Sequence, residues 1–144
     1  MLARVNMIDA SEYKDLFLTE ARAHVQAINQ ALSTLERTPS DASAAETIFR
    51  SAHTLKGMAG TMSYDHLAQL AHGLEDLLDR VRRHELAPAP DLLELLRKSA
   101  DVLSAMLNNI AEDRPGEGAW RVWLKRLRTF TPVPHAPEGD RSTS

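Results

Sequence analysis

The chain has no cysteine among its 144 residues. That excludes disulfide bridges and thiolate metal sites, and says little about compartment. It also lacks any run near the roughly 18 to 20 apolar residues a membrane span needs. The first residues, MLARVNMIDASEY, hold no long apolar region and no small-residue cleavage site, so no secretory signal is expected there. Positive charge is not in excess: 17 Lys and Arg stand against 20 Asp and Glu, a formal net charge of −3. A nucleic-acid partner, which calls for a basic field, is therefore not expected. There is no phosphate-cradling glycine-rich loop and no nucleophile elbow. No segment alternates with a period of two, and no internal repeat stands out. What is left, 43% hydrophobic and 26% charged, suits one cytoplasmic domain with a real core.

What the chain does have is helical periodicity. Residues 1–8 read as a lead-in. Asp9 and Glu12 have capping-box spacing, and Tyr13, Phe17, Ala21, Val25, Ile28, Leu32 and Leu35 then recur at steps of three and four. Pro39 disfavours helix in the residue before it, so this first helix should end near Thr38. Ser43 and Glu46 suggest a second capping box, followed by the seam Ala45, Ile48, Ala52, Leu55, Ala59 and Met62. A third helix from about Asp65 carries Leu67, Leu70, Leu74, Leu77, Leu78 and Val81, and closes on the basic cluster Arg80, Arg82 and Arg83. Pro90 and Asp91 open a fourth, with Leu92, Leu96, Val102 or Leu103, Met106 and Ile110 inward. Trp120, Trp123 or Leu124, Leu127 and Phe130 fit a short fifth. The expected fold is all-α: an up-down antiparallel four-helix bundle over residues 9–130 with a short additional fifth helix. Residues 131–144, rich in proline with little to bury, read as a disordered linker or tail.

The stretch AHTLKGMAGT, residues 52–61, concentrates the chemistry. At 3.6 residues per turn, His53, Lys56, Gly57 and Gly60 share about a third of the helix circumference. His53 follows the seam position Ala52 and so sits about 100° off the buried line. An isolated histidine there is most often an incidental surface residue. Two glycines inside a helix, each costing up to about 1 kcal/mol relative to alanine, favour a face that something large approaches, although close helix packing also selects small residues. Lys56 is near enough to supply a point charge for phosphate, or is simply solvated. On the third helix His72 and Glu75 share a face. If helices two and three fold back at Ser63–Tyr64, residues equidistant from the turn meet, which brings His53 opposite His72 and Glu75. A carboxylate on one ring nitrogen would leave the other as a nucleophile; a surface pairing of Glu75 with a cation such as Arg80 is the alternative. Di-metal carboxylate sites need Glu-x-x-His, which is absent, and His53, His66 and His72 have no recognised zinc spacing, so no metal is expected.

These residues resemble the histidine-containing phosphotransfer (HPt) family, and in particular the phosphotransfer domains of CheA-type chemotaxis kinases. The family pattern, His-[Ser/Thr]-[Leu/Ile]-Lys-Gly followed by small residues, stands here as HTLKGMAGT from His53 to Thr61. The CheA-like feature is HGLEDLLDRVRR, from His72 to Arg83. The resemblance implies that His53 is phosphorylated, that Glu75 orients its imidazole, and that Lys56 and His72 complete the network. It implies ATP as donor on a separate CheA-type kinase catalytic domain, in the same or a partner subunit, with no cofactor in this chain. It implies an acceptor aspartate on a CheY- or CheB-like response regulator that docks over Gly57, Met58, Gly60 and Thr61. The chain would then be the phospho-accepting part of a protein-histidine kinase. One departure is Ser63, where the CheA-like pattern usually has glycine; a positive φ there would cost serine roughly 1 kcal/mol. The alternatives are an HPt module of another phosphorelay, a non-catalytic docking bundle and, last, a metal-binding bundle.

Overall fold

A computed structural model describes residues 9–116 and 118–133. It contains α1 (Ala10–Arg37), α2 (Ala42–Thr61), α3 (Asp65–Arg82), α4 (Pro90–Ala111) and α5 (Ala119–Arg128). There is no strand among the described residues. The lead-in 1–8 and tail residues 134–144 lie outside them. None of the helices is long and apolar enough to cross a membrane.

The leucine-rich stripes explain the assembly. α2 packs between α1 and α3, α4 closes the ring against α1 and α3, and α5 lies across α3 and α4. Ile28, Leu32 and Leu35 of α1, Ile48 and Leu55 of α2, Leu70, Leu74 and Leu78 of α3, and Leu92, Leu96 and Leu103 of α4 are fully buried. Each such side chain contributes about 1.5–3 kcal/mol over its exposed state. At the ends, Lys14 meets Asp113 at 2.9 Å and Arg97 meets Glu36 at 3.0 Å, tying α1 to α4 in antiparallel order.

Several local expectations are corrected. α2 is capped by Asp41, whose carboxylate accepts the Ala44 N–H at 2.9 Å, and not by Ser43. Both residues have capping chemistry, and the helix takes the earlier one because Ala44 and Ala45 already face the core. Tyr13 lies on the apolar stripe of α1 yet stays 48% exposed, because it precedes the packed length of the bundle. On α4 the buried line runs through Leu103 and Leu107, leaving Met106 and Ile110 partly buried. On α5 Leu124 is buried and Trp123 only partly so. Of the expected tail only residues 131–133 are described, and there the Val133 N–H donates to Asp91 Oδ2 at 2.8 Å.

Ser63 has φ 64°, so the left-handed turn is made without glycine. Its N–H donates to the Gly60 carbonyl at 3.0 Å and the Tyr64 N–H to the Ala59 carbonyl at 2.8 Å, the paired bonds that end a helix abruptly. His84 (φ 62°) and Asp113 (φ 52°) end α3 and α4 in the same way. The roughly 1 kcal/mol cost of a left-handed non-glycine residue is thus met three times, each time satisfying helix-end carbonyls and reversing the chain within a few residues. The reversal at Ser63 is what aligns α2 with α3.

Candidate functional site

Ala52, Leu55 and Ala59 of α2 are completely buried against the bundle. That seam fixes the rotation of the helix, and His53, one position along, is carried out to the surface with its side chain 60% exposed. On α3 the buried Leu74 and Leu78 do the same for Glu75, which lies on the edge of the α2–α3 seam with only 10% of its side chain exposed. The antiparallel pairing brings the two together. His53 Nδ1 is hydrogen-bonded to Glu75 Oε2, and Lys56 Nζ donates to Glu75 Oε1 at 2.7 Å. One carboxylate therefore serves two residues on the facing helix.

The protonation pattern follows from the charges. Burial, the largest single influence, pushes the Glu75 carboxyl up; the hydrogen bonds from Lys56 and His53, together with their charges, outweigh it and leave the group below the usual carboxylate range. An ionised carboxylate only accepts, so the proton between the two residues belongs to His53 Nδ1. The imidazole is held as the Nδ1–H tautomer. No hydrogen bond engages Nε2 among the described residues, so in the neutral ring that nitrogen presents its lone pair at the surface.

The other sequence-derived residues fall as follows. His72 is not joined to His53; its Nε2 lies 3.4 Å from Asp76 Oδ1, one turn along its own helix. The donor atoms of His72, Glu75 and Asp76 lie within 4.8 Å of one another, but both Glu75 oxygens are already engaged, which makes this a poor metal cage. His66 stacks on Trp120 with centroids 4.3 Å apart and does not converge with His53 and His72. Gly57 and Gly60 are exposed, and a Cβ built on either would meet nothing within 4 Å. Close helix packing is therefore not the reason for them. Met58 is partly buried against the core, and the exposed Thr61 bonds its hydroxyl to the Gly57 carbonyl at 3.1 Å.

Sequence reasoning missed two neighbours. The Phe49 ring stacks against His53 with centroids 6.3 Å apart and planes 14° apart, and the Arg82 guanidinium lies 3.9 Å from the centre of the Phe49 ring. The signal was present: Phe49 precedes His53 by one turn, and Arg82 lies two turns beyond Glu75 on the same stripe.

The Hpt domain family matches residues 12–113, which span α1 to α4. The chain is 39% identical over 110 residues to the chemotaxis protein CheA of Bacillus subtilis, covering 76% of this chain and 16% of that protein. It is 35% identical over 127 residues to CheA of Treponema pallidum, covering 85% of this chain and 16% of that one. It thus spans about a sixth of the length of these curated relatives. Among solved structures, the CheA phosphotransferase domain from Thermotoga maritima superposes with a TM-score of 0.70 at 36% identity, covering 72% of this chain and 99% of that one. The phosphorylated P1 domain of CheA3, in complex with CheY6 from R. sphaeroides, superposes with a TM-score of 0.74 at 26% identity, covering 82% and 94%. A match running through the four long helices α1 to α4, on a chain whose second and third helices hold a histidine against a carboxylate, makes this chain a member of the Hpt domain family.

Proposed function

We propose that this chain is the phosphotransfer module of a CheA-type kinase, working in the cytoplasm, with His53 as the residue that carries the phosphoryl group. The observation that carries the reading is the Glu75 carboxylate, which holds Nδ1–H of His53 while Lys56 holds the carboxylate.

The chemistry follows from that arrangement. The Nε2 lone pair attacks the γ-phosphorus of ATP bound on a separate kinase domain; the N–P bond forms as the bond to the ADP oxygen breaks. The ring gains positive charge as its lone pair is used, and Glu75, already ionised against Nδ1–H, stabilises that charge without having to reorganise. Lys56 keeps Glu75 ionised and oriented. In the second transfer a carboxylate oxygen of a receiver-domain aspartate attacks the phosphorus, the N–P bond breaks, and His53 returns to its neutral Nδ1–H form. The exposed, glycine-bearing face of α2 beside His53 suits the approach of a folded partner. The solved neighbour bound to CheY6 supports a CheY-like receiver as that partner.

The test uses a CheA kinase core without its own phosphotransfer domain. Incubated with it and ATP, the wild-type chain should acquire acid-labile, base-stable phosphate. His53→Gln should acquire none, and labelling equal to wild type would overturn the assignment.

A further inference from the structure

We propose that Phe49 is a positioning residue for His53, setting the plane of its imidazole, and that Arg82 acts through Phe49. The kinetic consequence rests on the phosphotransfer reading; the geometry does not.

Glu75 grips His53 at a single atom, Nδ1. One hydrogen bond selects which nitrogen carries the proton, but it leaves the ring free to tilt about that bond, and the terminal torsion of histidine is intrinsically broad. In-line attack needs the Nε2 lone pair, which lies in the ring plane, aimed at phosphorus. Something must set the plane as well as the tautomer.

The stack meets that need. Phe49 lies one turn before His53 on α2 with its ring 14° from parallel to the imidazole. Phe49 is in turn covered by Arg82 from α3, whose guanidinium carbon is 3.9 Å from the ring centre, inside the range of a cation–π contact. Arg82 is anchored from both helices: its Nε lies 3.3 Å from Glu46 Oε1 on α2, and its Nη1 lies 3.6 Å from Asp79 Oδ1 on α3. Two carboxylates flank the guanidinium, the guanidinium covers the phenyl ring, and the phenyl ring gives the imidazole a flat neighbour. His53 is thereby bonded at one edge by Glu75 and flanked by the near-parallel Phe49 ring. Phe49 presents no group that bonds to phosphate, so its effect falls on orientation alone.

The experiment compares wild type with Phe49→Leu, Phe49→Tyr and Arg82→Gln in the 144-residue chain. It reads steady-state phosphorylation by a CheA kinase core and the 1H shifts of the His53 ring protons Hδ2 and Hε1, which feel the ring current of Phe49. Phe49→Leu fills similar space without a flat face. It should lower kcat roughly fivefold, the effect of a modest off-rotamer penalty, with the KM for this chain unchanged. Its His53 Hδ2 and Hε1 shifts should lose the ring-current displacement that the phenyl ring imposes, while Glu75 still selects the tautomer. Phe49→Tyr should restore both readouts, and Arg82→Gln should shift them in the direction of Phe49→Leu by a smaller amount. Wild-type kcat and ring shifts in Phe49→Leu would overturn the proposal, and so would a Phe49→Tyr protein as slow as Phe49→Leu. Should Phe49→Leu lose helicity by circular dichroism, the partly exposed Arg82→Gln decides by the same readouts. If no variant, wild type included, accepts phosphate, the phosphotransfer reading falls while the ring shifts still judge the stack.

Discussion

At the scale of single residues, Glu75 shows how much one side chain depends on its surroundings. Buried alone, a carboxylate would be driven towards neutrality; Lys56 and His53 together reverse that. Because its folded value lies below the ordinary one of about 4.3, the ionised form stabilises the fold. That contribution is complete above the ordinary value and disappears as pH falls through the lower folded one. Glu75→Gln resembles the protonated acid at every pH. Wild type should therefore exceed Glu75→Gln in urea-unfolding stability at neutral pH, and the gap should close below roughly pH 4. A gap that stayed constant down to pH 3 would show that the ion pairs are not its source. His72 teaches the opposite lesson. Its spacing from Glu75 is right for a shared face, yet its imidazole turns to Asp76, a choice between near-equal neighbours that residue order does not reveal.

Elements bring in propensity. α2 carries Gly57 and Gly60 in its last turns, where a helix is weakened by about 1 kcal/mol per glycine relative to alanine. The structure leaves open space at both. Gly57→Ala and Gly60→Ala should each raise unfolding stability by roughly 0.5–1 kcal/mol. If the face receives a partner closely, each should also slow transfer from phospho-His53 to a receiver aspartate. Stability lost on either substitution, measured by chemical denaturation, would point to packing instead. Caps and breaks were largely legible in the sequence, because Asp9, Pro39 and Pro90 act through local backbone rules. The start of α2 was not, because Asp41 and Ser43 are both competent caps and burial of Ala44 chose between them.

At the scale of the whole molecule, α5 completes the bundle by closing over α3 and α4. Its seat is Gly73: a Cβ there would lie 3.1 Å from Leu124 Cδ1 and 3.1 Å from Leu127 Cδ1. Gly73→Val should push α5 off its seat, at about 1–3 kcal/mol for the overpacking. Fluorescence of Trp120 and Trp123 on α5 should report the shift, and unchanged fluorescence and stability would show that the leucines can yield.

Sequence alone determined that the chain is helical, where its four long helices fall, and that His53 stands off the core. All of these follow from period and local backbone chemistry, which neighbouring residues carry. Equal spacing about the Ser63–Tyr64 reversal also brought Glu75 within a turn of His53. Only the tertiary structure decided that Lys56 spends its charge on Glu75, that Asp41 caps α2, that Leu103 and Leu107 turn inward on α4, and that Phe49 and Arg82 stack beside the histidine. Each of these turns on rotation or rotamer. A three- or four-residue period leaves the angle of a helix uncertain by tens of degrees, and packing against several neighbours at once settles what a single strip of sequence cannot.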